Sequence, residues 1–358
     1  MNATARLPLL FLGMLSLVIG VLAGLARLAI TMPPIATAQM GGHGALMISA
    51  FLGTVISLER AVALARGWPY LAPLCAGLGG LAMICGLNPM ATQAFSIAGG
   101  LVLSAGSLLI LRQQPAMYTT TSALGALSWL IGSLTWSIGG AIVFAVPWWM
   151  AFLVLTIAGE RLELTRFMPM PDNAKWFFAI IVAAMLLGMI AAFWSDNIGL
   201  QIFGVGLLAL AFWLLRYDIA RPTLRQSGMT RFIAACLLSG YVWLAFGGLL
   251  GIFGGFVPGD ALRDAALHSI FLGFVFSMIF GHAPIIFPAV AKIRIPYHPA
   301  FYLPLAALHA SLLMRVVGDL TNAVSLRQFA GIANAITLLL FIITLLSSAV
   351  RGARKKTA

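Results

Sequence analysis

Apolar runs of about twenty residues follow one another from residue 7 to residue 350, separated by short polar connections. They fall at 7–30, 43–65, 68–88, 93–112, 119–140, 142–160, 175–195, 198–216, 232–255, 265–288, 300–318 and 327–350. At ~1.5 Å rise per residue, a helix of that length covers the ~30 Å hydrocarbon core of a bilayer. Water-free hydrocarbon leaves such runs no choice but helix, because each must satisfy its own backbone polar groups. The expected fold is therefore an all-α polytopic membrane protein of twelve transmembrane helices with no extramembrane domain. Composition agrees: charged residues are 8% of the chain, hydrophobic residues 61%, and the mean hydropathy is +1.03. A soluble globular domain is excluded.

The formal net charge of +12 does not imply nucleic-acid binding, since the basic residues stand singly or in small groups between apolar runs. That pattern is a topology signal. With both termini in the cytoplasm, only Arg27, Arg263, Arg315 and Arg327 of the 21 Lys and Arg lie outside. Localisation in the inner membrane, multi-pass, with the lipid bilayer as first partner, follows as an expectation. The first run is too long for a signal-peptide core and reads as a membrane helix. Cys75, Cys85 and Cys236 lie in apolar runs without CxxC spacing and read as small core residues.

A weak internal repeat is visible in a single transmembrane domain. ISLER (56–60), IAGER (157–161) and IFGHA (279–283) each fall near the cytoplasmic end of a helix, four helices apart. Three four-helix pseudo-repeats, at about 1–115, 116–225 and 226–358, are the simplest reading. The 37 glycines, often four apart as in Gly20/Gly24 and Gly247/Gly251, suit close helix packing.

Ionisable residues inside such helices point to function, because burying them is expensive. The run at 265–290 carries two of the five histidines, His268 and His282. At ~100° per residue they lie only ~40° apart around the helix axis, so both face one interior. His43, after Met40-Gly-Gly, opens the second run from the outer face, as His268 opens the tenth. Two imidazoles at similar depth on two helices are what a haem iron needs for axial ligands. The plainer alternative is two histidines at helix starts, bonded to water or headgroups. His282 and His309 form a possible second metal site, or simply a polar contact between two helices. His298, in IPYHP, reads as solvated. Arg27 and Arg315, on the outer side against the charge rule, could hold haem propionates. For Arg315 a local salt bridge with Asp319 at i+4 is the ordinary explanation. Glu59–Arg60 and Glu160–Arg161 read as local ion pairs.

The stretches HGALMISAFLGTVISLER, LHSIFLGFVFSMIFGHAPIIF and LHASLLMRVVGD resemble the haem–copper oxidase subunit I superfamily, and within it the NnrS branch. That branch comprises haem- and copper-containing membrane proteins linked to nitric oxide stress. The resemblance implies haem b on His43 and His268, with copper as a possible second metal. It also implies a role in nitric oxide response, electron transfer or haem and metal handling, with a membrane or periplasmic redox partner. The chain departs from the oxidases in having no histidine on its sixth or seventh run and no HxH on its tenth. A standard binuclear oxygen-reducing centre is therefore not expected, and whether the protein is an enzyme stays open. The competing expectation is a secondary transporter for an anion or a proton-coupled solute, its inward histidines and arginines forming the path.

Overall fold

The computed structural model describes residues 3–166, 168 and 170–357, with side chains from Thr4 to Ala353. Arg354, Lys355 and Lys356, counted above as cytoplasmic, lie outside the described side chains. All regular structure among the described residues is helical. Among the described residues, ten helices are long and apolar enough to cross a membrane.

The contacts divide the chain into two compact units. The first comprises Met1–Thr156 with Ala289–Lys292, and the second Ile157–Pro288 with Ile293–Ala358. In the first, α1 (Ala3–Arg27), α2 (Ala45–Leu64), α3 (Trp68–Ile84), α4 (Pro89–Gln113), α5 (Met117–Gly139) and most of α6 (Ile142–Thr165) surround a core built on Trp129 and Trp149. Trp129 stacks on Phe152 with ring centres 5.3 Å apart, and its indole N–H donates to Ser49 Oγ at 3.1 Å. Ser49, Ser96 and Ser133 continue as a buried hydroxyl chain, at 2.6 and 2.7 Å. Each hydroxyl both donates and accepts, so three buried polar groups satisfy one another without water. The α3 helix is the short one of the apolar helices, and α5, diluted by Thr and Ser, is not among the ten.

In the second unit, α7 (Asp172–Ala191), α8 (Asp196–Tyr217), α9 (Gly228–Ile252), α10 (Arg263–Ala291), α11 (Pro299–Leu320) and α12 (Val324–Thr357) supply the helices. Phe178, Phe203, Phe232 and Tyr241 are fully buried. Trp176 and Trp194, by contrast, bracket α7 at 71% and 82% exposure, the placing of tryptophans at the two membrane–water interfaces. Large apolar side chains on the outside, such as Ile138 at 87%, need hydrocarbon rather than water around them.

Two helices are not α-helical throughout. Ala45–Leu52 of α2 and Ser269–Phe276 of α10 are π-helical, eight residues each, beginning two residues after His43 and one after His268. A π turn takes an extra residue and so sets back the phase of everything beyond it. The ~40° separation of His268 and His282 assumed an unbroken α-helix, and the π segment lies between them, so that phase argument fails. Helix ends also differ from the apolar runs. The third helix stops at Ile84 rather than 88, where Gly86 takes a left-handed φ of 68°. Cys85 just there is exposed rather than core.

The α7–α8 hairpin depends on glycine contact. A Cβ on Gly188 would stand 2.7 Å from the Phe203 nitrogen and 2.8 Å from the Gly199 oxygen, both backbone atoms that cannot swing away. Gly188→Ala should therefore destabilise by ~1–3 kcal/mol, read as a lower thermal midpoint of the detergent-solubilised protein. Gly67→Ala, where nothing lies within 4 Å, should leave that midpoint unchanged.

Candidate functional site

His43 sits at the end of the Met40–Gly42 turn, just before α2. Its Nδ1 lies 2.7 Å from the Gly20 carbonyl of α1. A carbonyl can only accept, so Nδ1 carries the hydrogen, and in the neutral ring the lone pair is on Nε2. The ring lies flat enough on α1 that a Cβ at Gly24 would come within 2.8 Å of its Cε1. Gly20/Gly24, read above as ordinary packing, thus also seats the imidazole. Arg27 is exposed and donates to the Met40 carbonyl at 3.3 Å, which ties it to the turn that carries His43.

His268 shows the same chemistry in the second unit. Its Nδ1 lies 2.9 Å from the Asp264 carbonyl, one turn back, and 3.4 Å from the Asp264 carboxylate. The hydrogen is again on Nδ1 and the lone pair on Nε2. Asp264 Oδ2 in turn accepts from Arg315 Nε at 3.0 Å and Nη2 at 2.8 Å. The expected Arg315–Asp319 bridge is corrected here: the guanidinium reaches across to α10, and Asp319 instead has Arg327 at 3.9 Å. The i+4 spacing favoured Asp319. A charge-assisted pair using two N–H groups of the buried Arg315 favours Asp264. Asp264 therefore stands between Arg315 and His268, its carbonyl taking the imidazole hydrogen and its carboxylate the guanidinium.

His282 and His309 have both ring nitrogens engaged. His282 donates from Nδ1 to the Met278 carbonyl at 2.6 Å, and its Nε2 accepts from Arg161 at 2.9 Å. His309 accepts the Trp243 indole N–H on Nδ1 at 3.0 Å and donates from Nε2 to Ser239 at 2.9 Å. Neither ring offers a metal its lone pair without giving up one of these bonds. Among the described residues no group of three or more His, Cys, Asp or Glu is placed to hold a metal ion. His298 caps the 299–301 turn, accepting from the Ala300 N–H at 3.1 Å.

Sequence reasoning missed the surroundings of Arg161. The Glu160–Arg161 pair was read as a local ion pair, yet Arg161 turns inward, 3% exposed, to His282. Asp218, 1% exposed just past α8, and Tyr241 lie in the same buried cluster. Asp218 Oδ1 accepts the Ala220 N–H at 2.6 Å. The Asp218–Ile219–Ala220 spacing was a usable signal, since Asp often folds back on the N–H two residues on. Burial pushes the Asp218 carboxyl above its ordinary range, opposed by Arg161, the Ala220 N–H and Tyr241. A carboxyl raised in the fold contributes most stability below its unfolded value of 3.8 and loses it as pH climbs through the raised value. Asp218→Asn keeps the acceptor and removes the titration. Its thermal midpoint should therefore fall less than wild type's as pH rises from below about 4 towards neutrality.

A family model described as a domain of unknown function, DUF8744, matches residues 6–350. No curated protein matches the chain.

Proposed function

We propose that this chain, which belongs to the DUF8744 family, is a haem b-binding membrane protein and that His43 and His268 are the residues that would hold the group. One observation carries the reading. Each ring donates its Nδ1 hydrogen to a backbone carbonyl, which fixes the tautomer, and stands at the head of an eight-residue π segment. Metal-ligating histidines use this second hydrogen bond to hold tautomer and orientation, and π segments gather at functional sites. The residues thus fit the group. When bound, haem would supply one-electron chemistry. The chain's own part is positioning: α1 seats His43 through Gly24, and Asp264 with Arg315 holds and electronically tunes His268. Arg27, exposed beside the His43 turn, is the better cation for a propionate, because Arg315 already serves Asp264. The resemblance to the NnrS branch makes nitric oxide response, electron transfer or haem handling the fitting biological setting.

We also read α3 and α5 as membrane spans, giving twelve with both termini cytoplasmic in an inner membrane. Accessibility labelling of single cysteines should then find the 31–42 and 256–264 loops on the outer side. Labelling of either from the cytoplasm would overturn the topology.

The ligand assignment is tested by the optical spectrum of the purified protein. Two imidazoles on one low-spin iron should give sharp reduced bands, and His43→Ala or His268→Ala should abolish or shift them. His298→Ala should leave them unaltered, while Asp264→Asn should move the midpoint potential without removing the haem. The second reading, a secondary transporter for an anion or proton-coupled solute, draws on the buried Arg161–His282–Asp218 cluster. A folded protein that stays colourless after haem supplementation would put it first.

A further inference from the structure

The second unit contains an open pocket of about 530 Å³, formed where α6 ends, α8 ends and the short turn of Ala220–Thr223 follows. Its walls include Arg216, Arg221 and Arg225, with Thr165 and Asp218 among the other lining residues. None of the three arginines has a carboxylate within salt-bridge distance among the described residues. Asp218 lines the pocket but does not neutralise them: it is buried, one oxygen accepts the Ala220 N–H, and its charge is shared with the equally buried Arg161. Arg216 is held in place, its guanidinium lying over the Tyr217 ring at 5.2 Å. Arg221 and Arg225 are exposed.

Three guanidiniums around one concavity repel one another, and three positive charges balanced by a single buried carboxyl leave the concavity cationic. A chain whose arginines served only to set membrane orientation would gain nothing by gathering three around a pocket. A monovalent carboxylate would occupy one guanidinium fork. A tetrahedral oxyanion carrying two charges presents enough oxygens to engage several forks at once, which is the pairing that arginine geometry favours. The volume lies in the range of small-ligand sites.

We propose that this pocket binds a dianionic phosphate group, one not bridged as a diester, through Arg216, Arg221 and Arg225. The group belongs either to the headgroup of an anionic lipid or to a free phosphate. The site shares no residue with the haem assignment and stands or falls independently of it.

The purified full-length protein is titrated calorimetrically with inorganic phosphate at ionic strength matched with chloride. It is also reconstituted into phosphatidylcholine vesicles with and without phosphatidic acid, and its unfolding midpoint is compared. Phosphate binding in detergent identifies the soluble source; stabilisation by phosphatidic acid alone identifies the lipid source. In either case Arg221→Gln combined with Arg225→Gln should weaken the effect at least about tenfold. Both side chains are exposed, so folding should survive, and circular dichroism checks this. Arg112→Gln, an exposed arginine on α4 in the other unit, should leave binding unaltered. The proposal is overturned if neither phosphate nor phosphatidic acid acts beyond chloride. Equal weakening by Arg112→Gln overturns it as well, since that would show general charge rather than a site.

Discussion

In hydrocarbon a backbone N–H or C=O has no water to turn to, and nearly every feature of this protein follows from that one constraint. It makes each apolar run a helix, and it confines polar side chains to positions where they find a partner inside the protein. Serines close on serines and on a tryptophan N–H, as in Ser49, Ser96, Ser133 and Trp129. Threonines such as Thr54 and Thr165 bond back to the carbonyl one turn earlier. The π segments obey the same rule with a different register, bonding five residues back instead of four.

The histidines are governed by it too. An imidazole has one donor and one acceptor when neutral, and the structure assigns both on chemical grounds alone. Where the first partner is a carbonyl, as for His43, His268 and His282, the lone pair must lie on Nε2. His282 spends it on Arg161, and His309 spends both nitrogens on Trp243 and Ser239. Of four histidines that look alike in sequence, His282 and His309 thus serve as internal connectors, while His43 and His268 each give the Nδ1 hydrogen to a backbone carbonyl. The same logic explains why Arg315 abandons its sequence neighbour. A buried guanidinium is costly unless its N–H groups are met, and Asp264 meets two of them.

Charge is deployed in three ways. Arg315 is spent on orienting a histidine, Arg161 on a buried cluster with Asp218 and His282, and Arg216, Arg221 and Arg225 on a common concavity. Counting arginines by side of the membrane treats all of them as equivalent, which burial shows they are not.

The sequence by itself determined the helical class, because a run of apolar residues in a bilayer has one backbone solution and length alone tells whether it spans. It also marked His43 and His268 as special, since an ionisable group at the head of an apolar run stands out whatever surrounds it. Other features were decided only in three dimensions. The π segments leave no compositional trace: ALMISAFL and SIFLGFVF read like any helical apolar run. Register depends on what the neighbouring helix presents, not on the segment's own propensity. The Asp264–Arg315 pair joins residues 51 apart, and the Arg161–His282 bond residues 121 apart. The arginine pocket likewise gathers the end of α6 with the turn after α8. Periodicity within one helix reports which side chains share a face, whereas the partner of each side chain is chosen by how the helices are laid against each other.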